Sequence, residues 1–178
     1  MERNLQNFEA LGLEILKMAE ADQDMRRRAQ ANNGIIETEG DTKVDAINTA
    51  RMKEIIDAIG WPDKSKVGEE VAHDAWLLVQ HADHDVEFQK KCLELMKALP
   101  KGEAKPKDLA YLEDRVRVNE NRPQLYGTQF HQDPKTGLHI PRPIEDLENL
   151  DQRRASIGLE PMKEYSKYWD DLNAKIKK

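Results

Sequence analysis

Apolar residues recur every three to four positions along most of the chain, a spacing that places them on one face of an α-helix. Glycine and proline interrupt this pattern at several points, as they do at helix ends. The pattern therefore predicts a mainly α protein, a bundle of six to seven helices. The predicted helices cover residues 4–32, 43–59, 71–85, 107–119, 145–157 and 161–176, with either a continuation or a separate helix from about 86 to 99.

The most apolar of these segments runs from Val71 to Asp85, and we expect it to be the central helix of the bundle. At about 100° per residue, its alanine, valine and leucine side chains fall on one broad face. His73, Gln80 and His84 fall together on the opposite side, so we expect these three polar side chains to point away from the core.

The periodicity changes after Pro123. Residues 124–130 alternate between two faces, residues 133–137 are typical of a turn, and residues 138–141 are short and extended. This pattern predicts one β-hairpin, inserted at about 124–141. A hairpin of this size needs helices to pack against. Because the chain has neither an internal repeat nor a low-complexity linker, we predict a single domain over residues 1–178.

Composition narrows the function classes. The 178 residues are 38% hydrophobic and 35% charged, with a net charge of -6. The negative charge argues against nucleic-acid binding. No run is long enough to span a bilayer and no apolar signal core follows the N-terminus, so we expect a cytoplasmic protein without membrane contact. Arg26, Arg27 and Arg28 follow Glu20, Asp22 and Asp24, an alternation typical of a solvated helix face.

Five histidines, three of them close together, raise the question of a metal site. His81 and His84 have i, i+3 spacing, and Glu70 with His73 has the spacing of carboxylate-bridged di-iron bundles. Those bundles need that motif twice, and it occurs once here. A three-ligand site would have to borrow His131 or His139 from the hairpin. We therefore predict no metal and no cofactor.

General acid–base chemistry and anion binding are better supported by the residue types. His81, oriented by Asp83 nearby or by Asp114 across the fold, could act as acid or base. The alternative is a histidine that links helices through hydrogen bonds. Arg115, bracketed by apolar neighbours, and Arg153 with Arg154 could clamp an anion, and the alternative is ion pairing within the protein.

Several separated motifs resemble a bacterial domain of unknown function numbered 6624. They are WP at 61–62, WLLVQHAD at 76–83, DRV at 114–116, QLYGTQ at 124–129 and DQRR at 151–154. The likeness covers nearly the whole chain and implies bacterial origin and one domain, without implying a reaction. It also implies which positions belong to the family pattern: Trp61, Gln80, His81, Asp83, Asp114, Arg115, Gln124, Tyr126, Gln129, Arg153 and Arg154.

Two hypotheses follow from these residues. In the first, a small polar or anionic ligand binds in a cleft between the central helix and the hairpin, with His81, Asp83 and Asp114 as catalytic residues. Its ligand-binding residues would be Trp61, Gln80, Arg115, Gln124, Tyr126, Gln129, Arg153 and Arg154. In the second, the chain is a non-enzymatic interaction protein, such as an immunity or accessory factor, and the same polar residues are structural. Nothing in the sequence indicates an oligomeric state.

Overall fold

The computed structural model describes residues 2–31 and 43–176, and side chains from residue 7 onward. In these ranges the chain forms eight α-helices and one two-stranded antiparallel sheet, which confirms the predicted mainly α fold with a small hairpin. The elements are α1 (Glu2–Ala31), α2 (Val44–Ile59), α3 (Lys64–Val67), α4 (Glu69–Gln80), α5 (Val86–Lys97), α6 (Pro106–Asn119), β1 (Phe130–Gln132), β2 (His139–Pro141), α7 (Leu150–Ser156) and α8 (Met162–Ile176).

Contacts within the chain cluster into two compact units, Met1–Lys105 and Pro106–Lys178. The first unit contains α1 to α5, and the second contains α6, the hairpin, α7 and α8. Each unit is described by itself below. The single domain predicted for residues 1–178 stays a prediction.

Helix α4 is the centre of the first unit, because α1, α2, α3 and α5 all contact it. Ala75, Leu78 and Val79 are at most 2% exposed. Burying a leucine or valine side chain stabilises a fold by about 1.5–3 kcal/mol. The expectation that Gln80 points away from the core is wrong, since this side chain is buried at 4% exposure.

The predicted helix over 71–85 ends five residues earlier than expected, at Gln80. A separate helix, α5, begins at Val86, and the Asp85 carboxylate caps it by accepting a hydrogen bond from the Phe88 N–H at 3.1 Å. The sequence leaves open a continuation of the helix or a separate one, and the separate helix is therefore confirmed. As a result, His81 lies in a tight turn between two helices. By residue type, Asp41 or Thr42 is expected to cap α2, and both lie outside the described residues.

The predicted loop between α2 and α4 contains the one-turn helix α3. The Asp63 side chain begins this helix by accepting a hydrogen bond from the Lys66 N–H at 3.1 Å. A helix of four residues is too short to show a periodic spacing of apolar residues, so hydrophobic periodicity does not predict it.

The hairpin of the second unit is confirmed, with Phe130 opposite Pro141 and Gln132 opposite His139. Its first strand, however, begins at Phe130, so the strand predicted over 124–130 is wrong for most of its length. Residues 124–129 form an irregular segment, with a single parallel bridge between Gln124 and Ile144. The left-handed conformation of Gly127, at φ +70°, is incompatible with an extended strand.

Side chains from α8 hold the hairpin. The Asn173 amide accepts from the His139 N–H at 2.7 Å and donates to the His139 carbonyl at 2.8 Å. The Trp169 ring stacks on both Phe130 and His139, with ring centroids 4.9 Å and 5.2 Å apart. Asn173 thus satisfies backbone groups that an edge strand would otherwise leave open.

Gly127→Ala is expected to destabilise the protein by about 1–3 kcal/mol. The added Cβ would lie 3.0 Å from Met162 Sδ and 3.1 Å from Ile144 Cδ1, in a backbone conformation that alanine adopts with strain. Gly137→Ala is the matched control, because Gly137 has φ +71° but its Cβ would meet nothing closer than 3.8 Å. Urea unfolding of both variants measures the difference. Equal losses would contradict the steric argument.

Candidate functional site

His81, the first residue after α4, directs its Nδ1 nitrogen at a buried carboxylate of α1. Nδ1 lies 2.9 Å from Asp22 Oδ2 and 3.0 Å from Asp22 Oδ1. The Asp22 side chain is fully buried, whereas 16% of the His81 side chain is exposed. A buried carboxylate is costly unless it is paired and hydrogen-bonded. The Gln23 side-chain amide contributes another hydrogen bond to Asp22 at 2.9 Å.

Arg26 joins this pair to a second carboxylate. Its Nε and Nη2 atoms lie 3.3 Å from the two Asp22 oxygens, and Nη2 also lies 2.6 Å from Asp45 Oδ1. Arg26 Nε is in addition 3.0 Å from His81 Nδ1. The same Nδ1 cannot donate to Asp22 and accept from Arg26 at once. We assign a proton to Nδ1, because an unprotonated Nδ1 would direct its lone pair at both Asp22 oxygens. Arg26 keeps its contacts with Asp22 and Asp45 whether or not Nδ1 carries a proton.

The environment of Asp22 keeps it ionised at neutral pH. Burial raises the pKa of Asp22, but hydrogen bonds from His81 and Arg26, the charge of Arg26 and the charge that His81 carries when it is protonated hold this pKa below its usual value of 3.8. An ionised Asp22 in turn favours the His81 tautomer that carries its proton on Nδ1.

The other ring nitrogen of His81 is available for chemistry. Within the ranges that the structure describes, Nε2 has no hydrogen-bond partner. With the proton on Nδ1, Nε2 carries a lone pair. A histidine held by a buried carboxylate through one nitrogen, with the other nitrogen open, is the arrangement that general bases use. His81 Nε2 can therefore accept a proton from a bound hydroxyl, amine or water.

The prediction of a solvated helix face is wrong for Asp22, which is fully buried, while the Arg26 side chain stays 35% exposed. Asp24, Arg27 and Arg28 do form exposed pairs with one another. Asp22 is buried because it shares the apolar face of α1. It follows Ile15 by seven residues and precedes Met25 by three, and both of these are buried. The spacing of Asp22 from these apolar residues could therefore have indicated its burial, although the alternating charges around it are typical of an exposed face.

Asp83, predicted to orient His81, is exposed and accepts a hydrogen bond from Gln89 Nε2 at 3.2 Å. Gln89 is fully buried and also donates to the carbonyls of Val79 and Gln80, each at 3.2 Å. These contacts tie the turn between α4 and α5 together. The catalytic role of Asp83 stays a prediction, and the carboxylate at His81 Nδ1 is that of Asp22.

Asp22, Asp45 and His81 could in principle hold a metal ion, since each offers one ligand atom within 4.8 Å of the others. The guanidinium of Arg26 contacts both carboxylates, so this cluster already contains a cation. A metal bound to both aspartates and to Nδ1 would have to displace Arg26 and the proton assigned to Nδ1. The absence of a metal stays a prediction.

In the second unit, Asp114 organises the irregular segment before the hairpin. Its fully buried carboxylate accepts hydrogen bonds from the N–H groups of Leu125, Tyr126 and Thr128 at 2.6 Å, 3.0 Å and 3.0 Å, and from the Thr128 hydroxyl at 2.9 Å. Burial raises the pKa of Asp114, and these four donors oppose that shift. The carboxylate oxygens are used by the backbone of the turn.

Gln124 and Gln129 also bind backbone atoms of this unit or each other. The fully buried Gln124 side chain donates to the carbonyls of Gln129 and Arg142 at 3.0 Å and 2.8 Å and accepts from the Gln129 N–H at 2.8 Å. Gln129 Nε2 donates to the Thr128 hydroxyl at 3.0 Å. Both amides therefore hold the hairpin entrance in place.

Arg153 and Arg154, the predicted anion clamp, reach carbonyl oxygens. Arg153 Nε donates to the Leu125 carbonyl at 2.9 Å, and the fully buried Arg154 donates to the carbonyls of Glu160 and Tyr126 at 2.6 Å and 2.5 Å. The Arg154 guanidinium lies 4.8 Å from the centre of the Tyr165 ring. Anion binding by these arginines stays a prediction.

The predicted site residues thus fall into two groups. Asp114, Gln124, Tyr126, Gln129, Arg153 and Arg154 meet around one turn of the second unit, where Arg115 is half-buried on α6. Gln80, His81 and Asp83 lie at the end of α4 in the first unit, which also contains the buried Trp61. The predicted cleft draws on both groups and stays a prediction.

A model of a protein family of unknown function, DUF6624, matches residues 9–177. The chain belongs to this family. The match covers nearly the whole sequence and confirms the resemblance carried by the separated motifs. No curated protein and no solved structure matches the DUF6624 chain in the corresponding comparisons. None of the helices described in this DUF6624 member is both long and apolar enough to cross a membrane.

Asp114→Asn is expected to lower the free energy of unfolding by about 2–4 kcal/mol. The amide nitrogen would face N–H donors that the carboxylate now accepts. Asp133→Asn is the control, because Asp133 also accepts from backbone N–H groups of Lys135 and Thr136, at 2.8 Å each, but in an exposed turn. Chemical denaturation should show a clearly smaller loss for the control. Similar losses would mean that burial of Asp114 is irrelevant to its role.

The lowered pKa of Asp22 also makes a prediction about acid. A carboxyl group whose folded-state pKa is depressed stabilises the fold above its unfolded pKa, and that stabilisation is lost as pH falls through the folded pKa. The stability gap between the unmodified protein and Asp22→Asn should therefore narrow as pH is lowered from about 6 to about 2. Urea titrations at several pH values measure this gap. A gap independent of pH would contradict an ionised, stabilising Asp22.

Proposed function

We propose that this protein binds a small polar ligand at His81 and exchanges a proton with it through Nε2. The observation that carries the proposal is the buried Asp22 carboxylate at 2.9 Å from His81 Nδ1, which leaves Nε2 open. In this role Asp22 fixes the tautomer and stabilises the imidazolium that forms when Nε2 accepts a proton. A cytoplasmic location is part of the proposal and fits the single, buried Cys92 thiol.

The charges around His81 favour one ligand class. Asp22 and Asp45 are acidic and Arg26 is basic, so with a neutral imidazole these four groups carry one net negative charge. An anion would meet this charge unless His81 were protonated. A neutral ligand with an O–H or N–H group meets no such barrier and offers the proton that Nε2 can accept. We therefore favour a neutral polar ligand over an anionic one at this position.

Arg26 has a positioning role in this scheme. Asp45 holds its guanidinium at 2.6 Å, and the guanidinium reaches both oxygens of Asp22. A fixed positive charge beside Asp22 keeps this carboxylate ionised, which keeps the proton of the imidazole on Nδ1. Asp45 thus supports His81 through Arg26, and Arg26 supports it through Asp22.

A second candidate function is that of a non-enzymatic interaction protein. It is favoured by the second unit, where Asp114, Gln124, Arg153 and Arg154 all donate to or accept from backbone groups. Polar residues used in this way stabilise a fold without contacting a ligand. The two candidates differ on whether the open Nε2 of His81 is needed.

Two substitutions of His81 separate these candidates. In His81→Asn, the side-chain amide can take the place of Nδ1 and donate to Asp22, but nothing replaces Nε2. In His81→Gln, an amide nitrogen reaches the position of Nε2, and the donor to Asp22 is lost. We expect His81→Asn to keep the melting temperature and lose ligand-induced stabilisation, and His81→Gln to lose about 1–3 kcal/mol of stability.

The measurement is a thermal-shift screen of the unmodified protein against neutral polar metabolites, amino acids, nucleosides and phosphorylated compounds, repeated on both variants with each compound that binds. Full ligand stabilisation in His81→Asn would overturn the acid–base proposal and favour the interaction protein. Binding restricted to phosphorylated compounds would contradict the preference for a neutral ligand.

A further inference from the structure

The second unit contains a small pocket that the proposed function does not use. It has a volume of about 280 Å³ and lies between the turn after α6 and the segment that follows β2. This volume lies just below the range of about 300–1,000 Å³ typical of pockets for drug-sized ligands, so it favours a small ligand. Its lining combines apolar and basic side chains: Val118, Asn121, Arg122, Pro123, Arg142 and Pro143.

Hydrogen bonds hold both walls of the pocket. The Arg117 guanidinium donates to the Pro123 carbonyl at 2.6 Å, which fixes the turn. On the other side, the buried Gln124 donates from Nε2 to the Arg142 carbonyl and from its backbone N–H to the Pro143 carbonyl, both at 2.8 Å. The two prolines restrict the backbone further. A ligand would therefore bind without having to order these segments first.

The charge of the pocket is uneven. Arg122 is paired with Glu120, with Nε and Nη2 at 2.9 Å and 2.5 Å from Glu120 Oε2, and Arg117 is paired with Glu145. Arg142 is exposed, and among residues 43–176 its guanidinium takes part in no hydrogen bond or ion pair. One positive charge at the pocket is therefore uncompensated.

We propose that this pocket binds a small organic carboxylate. The carboxylate would accept two parallel hydrogen bonds from the Arg142 guanidinium, the geometry that arginine and carboxylates share. The apolar part of the ligand would lie against Val118, Pro123 and Pro143. A single uncompensated charge fits a monoanion better than a phosphate dianion, and the apolar lining favours an organic body over a bare inorganic ion. The site is independent of His81.

Benzoate is a suitable probe, because it combines one carboxylate with one ring. Titration of the ¹⁵N-labelled full chain with benzoate, followed by heteronuclear NMR, should give saturable shifts in the amides of residues 118–124 and 142–145. Expected affinity is weak, on the order of 10 mM for nine heavy atoms. Benzamide, which has the same shape without the charge, should bind at least about fivefold more weakly, and so should sulfate, which lacks the apolar part.

Arg142→Gln should weaken benzoate binding about tenfold. Because the Arg142 side chain is exposed, this variant should fold normally. Arg142→Lys keeps the positive charge but lacks the planar guanidinium. Its affinity for benzoate should lie between those of the unmodified protein and Arg142→Gln. Arg27→Gln, which removes an exposed arginine of the first unit, is the control and should leave the affinity unchanged.

Three results would overturn the proposal: absence of saturable shifts in the pocket amides, equal affinity for benzamide or sulfate, or unchanged affinity in Arg142→Gln. Shifts confined to the surroundings of His81 would also contradict it, because they would assign the carboxylate to the other site. Since none of these measurements depends on His81 Nε2, failure here leaves the proton-transfer proposal intact.

Discussion

A carboxylate removed from water must find hydrogen-bond donors, and this constraint organises both units of the protein. Asp22 and Asp114 are each fully buried in their own unit. Leaving either without donors would cost several kcal/mol, a large fraction of the stability of a typical domain. Each aspartate therefore dictates the position of the groups around it, the turn after α4 in one case and the segment before the hairpin in the other.

The two carboxylates differ in what supplies their donors. Backbone N–H groups and one hydroxyl surround Asp114, and these donors have no other chemistry to offer. Asp22 is bound by side chains of His81, Arg26 and Gln23. An imidazole held through one nitrogen still offers the other, so pairing with Asp22 both satisfies the buried charge and prepares His81 for proton exchange. This difference in donors is why we place the proposed chemistry in the first unit.

The arginines can be compared in the same way. Arg153 and Arg154 donate to carbonyl oxygens, and Arg26 joins two aspartates, so each has a role within the fold. Among the described residues, Arg142 is held through its backbone, whose carbonyl accepts a hydrogen bond from Gln124 and whose N–H donates to the Gln129 carbonyl at 2.9 Å. Its guanidinium has no carboxylate partner within residues 43–176 and lies at a pocket with rigid walls, so it is the arginine most suited to an external anion. The two proposals therefore assign different ligands to the two positions, a neutral polar ligand to His81 and a carboxylate to Arg142.

The sequence by itself determined the helical class, the position of most helices, the hairpin and the family, because these depend on local periodicity, turn residues and motif order. It also singled out His81. The partner of His81 came only from the tertiary structure, since Asp22 lies 59 residues away and no local pattern records which side chain a buried carboxylate will meet. Residues 124–129, predicted as a strand, are likewise irregular, because Gly127 is left-handed and Asp114 accepts hydrogen bonds from the backbone N–H groups of this segment. Alternation along a chain predicts which side chains share a face, whereas donors and acceptors brought together by folding decide the path of the backbone.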